Sequence, residues 1–149
     1  MIIKPFVGYN NITLKMNIED VKKILTLENT KFVCEHWPNK GCIPEVAWDI
    51  IRINDKISLF FAKDKLFKIY FENDESACLD NGITYNMAID EAMKIDSSIR
   101  YDDWEEEYIS ENGYWLETDV ETEKIISISI FIKEIENDDE FYRYQWCEK

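Results

Sequence analysis

A chain of 149 residues, 46% apolar and 14% aromatic, can fill the interior of one ordinary domain or of two half-sized units sharing a core. No apolar run reaches the roughly 18 residues that a membrane-spanning helix requires, so no membrane span is expected. The formal net charge of −14 excludes nucleic-acid binding through phosphate neutralisation.

Residues 1–11 hold one lysine, one proline and no long apolar stretch. No secretory signal is expected there, and a cytoplasmic protein is the default expectation. Asn17 then reads as a helix N-cap with Asp20 three residues on, and Ile18, Val21, Ile24 and Leu25 form the apolar stripe of a helix. The segment from Cys34 to Cys42, closed by Pro38 and Gly41, reads as a loop. Three β-rich runs follow at short spacing: Val46–Ile53, Ile57–Phe61 and Leu66–Phe71, with Asn54-Asp55-Lys56 and Lys63-Asp64-Lys65 as turns. That pattern predicts an antiparallel meander.

The order then recurs. Ile89–Ile95 reads as a short helix, poorly capped by Ala88. Glu107–Ser110 reads as a strand fragment, Tyr114–Thr118 as a strand and Asp119–Glu123 as a turn. Ile125–Ile132 is the clearest strand, with Ile126, Ile128, Ile130 and Ile132 on one face and Ser127, Ser129 and Phe131 on the other. After the acidic loop Glu136–Glu140, Phe141–Trp146 reads as a last edge strand.

A shift of 71 residues lays Ile12–Ile24 over Ile83–Ile95, with identities at six of thirteen positions. Met16 falls on Met87, Ile24 on Ile95, and the acidic pair Glu19-Asp20 on Asp90-Glu91. The fold class expected is therefore α+β: two tandem helix-plus-antiparallel-meander repeats, residues 1–75 and 76–149, whose two sheets associate as one single-domain body over residues 1–149. Extended segment, Met, helix and meander, given twice, resembles the tandem-repeat fold of the β-lactamase inhibitory protein. It is also similar to the small lipoprotein of the bacterial outer-membrane assembly machinery, without that family's lipidated cysteine. Small acidic proteins of this build resemble the immunity proteins that accompany bacterial polymorphic and contact-dependent toxins.

The residues offer little for catalysis. Cys34, Cys42, Cys78 and Cys147 are too sparse and irregular for a disulfide framework. Cys34, His36 and Cys42 lack the paired knuckle and the fourth ligand of a structural zinc site, so no metal is expected. His36 is the only histidine, and a Cys34–His36 pair two residues apart is not a familiar nucleophile–base arrangement. No G-x-G-x-x-G, P-loop or G-x-S-x-G occurs among the four glycines, and Asn137–Glu140 lacks the ligand spacing and central glycine of an EF-hand. With 31 acidic residues, an acid pair can be found anywhere and indicates nothing by itself. No enzyme and no cofactor is expected, a small hydrolase being the least favoured reading.

Charge is distributed unevenly. Residues 1–75 carry eleven basic and eleven acidic side chains; residues 76–149 carry six and twenty. A neutral half fused to an acidic half is dipolar, and such a field speeds encounter with a basic protein. The densest stretch that also carries aromatics is Tyr101–Tyr108 with Glu111 just beyond. The candidate partner-binding set is therefore Asp102, Asp103, Trp104, Glu105, Glu106, Tyr108 and Glu111, an aromatic anchor ringed by carboxylates suited to Lys and Arg. The rival placement tucks Trp104 into the core. The function expected is a non-enzymatic acidic binding protein, an immunity protein covering a basic, nuclease-like toxin. The alternative is a DNA mimic or general acidic adaptor.

Overall fold

Asn17 ends an extended segment and starts the first helix: its side-chain oxygen accepts the N–H of Glu19 at 2.9 Å. The helix, α1, runs over Ile18–Leu27 and buries Ile18, Val21 and Leu25, each worth about 2 kcal/mol of removed apolar surface. Asn29, at φ 55°, takes the left-handed conformation just past its end. The second helix, α2 (Ile89–Ile95), has no side-chain cap at Ala88 and buries Ile89 and Ala92. These coordinates are a computed structural model that describes residues 1–148.

Among the described residues, twelve strands accompany the helices. In chain order they are β1 (Ile2–Lys4), β2 (Gly8–Tyr9), β3 (Ile12–Thr13), β4 (Val33–Trp37), β5 (Trp48–Ile53), β6 (Ile57–Ala62), β7 (Lys65–Glu72), β8 (Cys78–Leu79), β9 (Arg100–Asp102), β10 (Glu107–Ser110), β11 (Tyr114–Thr118) and β12 (Ile125–Phe131). The class is α+β. Eight strands form one antiparallel sheet in the order β4-β5-β6-β7-β12-β11-β10-β9, and the four short ones form a second sheet, β3-β2-β1-β8. The hairpin turns obey local chemistry: Lys63 and Asp64 both lie at positive φ in the two-residue loop between β6 and β7, the twist that a tight hairpin requires.

Both helices lie on one face of the large sheet. Ile18, Val21, Leu25, Ile89 and Ala92 pack with Ile51, Leu59, Ile69, Leu116, Ile128 and Ile130 in the larger core cluster. The two helix starts are held alike. Lys15 (φ 72°) donates its N–H to Leu66 C=O at 2.7 Å, and Asn86 (φ 69°) donates to Ile125 C=O at 2.8 Å. Ile18 N–H reaches Asp64 C=O at 2.8 Å, and Ile89 N–H reaches Glu123 C=O at 3.0 Å.

Three sequence expectations about element type and sheet association are corrected. The meanders do not form two sheets that associate; β7 and β12 pair edge to edge and make one continuous sheet. Residues 34–37 of the expected loop belong to an edge strand, β4, invisible to periodicity because it is largely exposed on both faces and has no apolar alternation. Phe141–Trp146 is not a strand. Asn137 accepts the N–H of Glu140 at 3.1 Å and caps a short helix, α3 (Asp138–Phe141), and Gln145–Glu148 forms a 3-10 turn. Phe141, Tyr144 and Trp146 are buried with Phe67 and Ala62 in a smaller cluster on the sheet face opposite α1 and α2.

Asp96, at the end of α2, fixes that helix to the β10–β11 turn. Its buried carboxylate accepts hydrogen bonds from the hydroxyls of Ser98, Ser110 and Tyr114 and from the Asn112 amide. Burial alone would raise its pKa, but these donors outweigh burial and hold it well below the usual carboxylate range. A folded-state pKa below the unfolded one means stability that is present above about pH 4 and is lost as pH falls further. Asp96→Ala should therefore cost about 3 kcal/mol at neutral pH, since several buried donors lose their acceptor. Urea denaturation at pH 7 and pH 3 checks this, the gap between variant and parent narrowing at the lower pH.

Candidate partner-binding surface

The segment singled out by charge folds as the β9–β10 hairpin at one edge of the large sheet, with Asp102 opposite Glu107 and Tyr101 opposite Tyr108. Its turn is built by Asp102, whose Oδ1 accepts the N–H of Trp104 at 2.9 Å and of Glu105 at 3.0 Å. Glu106, at φ 56°, completes the reversal. Trp104 stands at the tip with 90% of its surface in water, so it is not a core residue.

The seven expected site residues are not placed as one patch. Asp103, Glu105 and Glu106 are exposed around Trp104, while Asp102 is partly buried and shapes the turn. Tyr108 lies on the helix-bearing face, packed edge-on against Tyr101 at 4.9 Å between centroids and against the core. Glu111 sits in the turn at the far end of β10, its N–H donating to Ser98 Oγ at 3.1 Å. The hairpin thus brings together Asp102, Asp103, Trp104, Glu105 and Glu106, and separates Tyr108 and Glu111 from them.

Residues that sequence reasoning missed lie on the opposite, helix-free face. Lys68, on central strand β7, carries its Nζ 5.5 Å from the Phe60 ring centre, 5.9 Å from Tyr70 and 5.0 Å from Trp115. Burial lowers its pKa, against the opposing pull of Glu107, Glu117 and Glu105. Glu107 faces the same side and is pushed up to about 7, mainly by burial, with Lys68 pulling it down and Glu117, Glu105 and Asp102 pushing it further up. Glu117 accepts from Tyr70 OH at 2.8 Å and from Ser127 Oγ at 2.6 Å. A lysine inside the apolar run Leu66–Phe71 was the one readable signal.

At the other edge, His36 Nδ1 lies 2.7 Å from Asp49 Oδ1, and Cys34 and Cys42 are exposed free thiols. Glu35 forms the outer ion pair of that edge with Arg52 at 2.8 Å.

Comparison with known proteins bears on the fold alone. No protein-family model matches the chain, and no curated protein sequence does. The crystal structure of the uncharacterized protein yfeY from Escherichia coli is similar in fold, with a TM-score of 0.59 over 88% of this chain and 99% of that one at 10% identity.

The exposure of Trp104 fixes an expected outcome. Trp104→Ala should change the unfolding free energy by no more than about 0.5 kcal/mol, the range of surface substitutions, where a core tryptophan would cost about 3–5 kcal/mol. Chemical denaturation of the two proteins decides between these values.

Proposed function

We propose that this protein is a non-enzymatic binding protein that docks a basic protein on its β9–β10 hairpin, as an immunity-type inhibitor of a nuclease-like bacterial toxin in the cytoplasm. The observation that carries the reading is Trp104: a large aromatic ring, 90% exposed, on a turn locked by Asp102 and flanked by Asp103, Glu105 and Glu106. Tryptophan is the commonest kind of interface anchor, and a pre-formed turn lowers the entropy cost of docking. The carboxylates around it complement the lysines and arginines of a nuclease cleft and steer the encounter.

The tandem-repeat reading belongs to the same proposal. It is supported by the matched backbone bonds at the two helix starts and by the recurrence of one helix followed by four antiparallel strands. On that reading the charge-balanced copy serves as scaffold and the acidic copy presents the docking edge.

The reading requires the gene of a large toxin directly upstream, and the test is co-expression with the C-terminal domain of the protein that such a gene encodes. Protection of the host, and a complex whose association rate falls steeply as salt rises through 0.1 M, are the expected results, since screening there sets in over about 10 Å. Trp104→Ala should speed dissociation, and combined Asp103→Asn, Glu105→Gln and Glu106→Gln should mainly slow association. Asp102 is left intact because it builds the turn. Equal binding to unrelated basic proteins, without protection, would instead make the chain a general acidic adaptor.

A further inference from the structure

The helix-free face of the sheet holds a cavity of about 340 Å³ between β6, β7, β10 and β11 on one side and the α3 segment on the other. That volume lies within the range of small-molecule sites, roughly 300–1,000 Å³. Phe60, Phe67, Trp115 and Phe141 give it aromatic walls, and Lys68 is the cation among its lining residues. An ammonium carries three N–H donors, which take acceptors from protein, ligand or water. Lys68 is half-buried: among the described residues its Nζ has three ring faces beside it and feels the charges of Glu107, Glu117 and Glu105, with no carboxylate or carbonyl at hydrogen-bonding distance. The pocket is therefore rich in apolar surface, and its ammonium, hydrogen-bonded to no described protein group, is open to water or to an acceptor carried by a ligand.

We propose that this cavity binds a small aromatic carboxylate, its ring between Trp115 and Phe141 and its carboxylate on the ammonium of Lys68. The site is separate from protein docking at Trp104, although Glu105 borders both. Carboxylates face the site from several elements: Glu105 on the β9–β10 turn, Glu107 on β10 and Asp138 on α3 line it, with Glu117 on β11 and Asp102 on β9 nearby. They set the condition under which an anion enters. Burial pushes the Glu107 carboxyl up to about 7, so below that pH its neutral form can donate a hydrogen bond to the bound carboxylate. Above it, Glu107 repels the ligand. Affinity for an anion therefore falls as pH rises through 7.

The probes are 1-naphthoate, neutral 1-naphthalenemethanol and cationic 1-naphthylmethylammonium, titrated against intact protein by calorimetry and tryptophan fluorescence at pH 6 and pH 8. Naphthoate should bind at least about tenfold more tightly than the alcohol at pH 6, the value of one charge-assisted hydrogen bond. This advantage should shrink at pH 8. Lys68→Met should abolish it, Lys68→Arg should retain it, and Glu107→Gln should flatten the pH dependence. Tighter binding of the ammonium probe would overturn the proposal, because the rim carboxylates would then rule the pocket. So would equal affinity for all three probes, or binding of none, which would leave the cavity to water. These wild-type comparisons decide the matter even where a variant folds poorly.

Discussion

Antiparallel pairing of β7 with β12, from Glu72 opposite Ser127 to Lys68 opposite Phe131, turns two four-stranded meanders into one eight-stranded sheet. Both strands are then interior, and their register dictates what stands beside what on each face. Toward the helices, Ile69, Phe71, Ile128 and Ile130 interlock in the main core. On the other face, β12 presents Ser127 and Ser129, both buried, beside the large side chains of Tyr70 and Trp115. Serine at these positions leaves room for rings and for the Lys68 stem to lie across the middle of the sheet. Its hydroxyl also finds an acceptor, as Ser127 does in Glu117.

The two faces of the sheet are closed by different means. Helices α1 and α2 cover one with aliphatic side chains. The chain after β12 covers part of the other with aromatic ones: Phe141 and Trp146 stack nearly parallel at 5.6 Å, and both rings meet Phe67. Trp48 Nε1–H ties this cover to Tyr144 OH at 3.2 Å. The cover stops short of Lys68, and that gap is the cavity. Charge is divided between the edges instead, with carboxylates crowding the β9 edge while the β4 edge balances Glu35 against Arg52.

Most of the secondary structure was legible because its causes are local. The Asn17 cap, the apolar stripe of α1 and the turns after β5 and β6 each announce an element within a few residues. The strand Ile125–Phe131 was clear from isoleucine content, but its alternation was misplaced at both ends: Ile132, expected beside Ile128 and Ile130, is buried with Phe67 and Phe141 on the other face. A bulge opposite Glu117 and Thr118 leaves Ile126 half-buried and sends Ile125 into the core. Phe141-Tyr142-Arg143-Tyr144-Gln145-Trp146 alternates like a strand, yet the rings bury around helical turns, since Asn137 offers a cap and Trp146 Nε1–H returns to Phe141 C=O at 3.0 Å. The hairpin carrying Trp104 was readable as a continuous acidic and aromatic stretch. The cavity was not, because Phe60, Lys68, Glu107, Trp115 and Phe141 come from five elements that only the sheet order brings together.

The order in which the chain leaves the ribosome gives the β7–β12 pairing a further cost. When β7 is complete its partner has not been made, and more than fifty residues must follow before Ile125–Phe131 emerges. Throughout that interval one long side of Lys65–Glu72, rich in Leu, Phe, Ile and Tyr, offers unpaired backbone groups to any neighbouring nascent chain. The same long separation delays closure of the sheet, as non-local pairing does in β proteins generally. Lys68, in the middle of that run, is charged while the strand is still open to water and so guards it against self-association. It becomes half-buried only once Ser129 and Phe131 arrive beside β7.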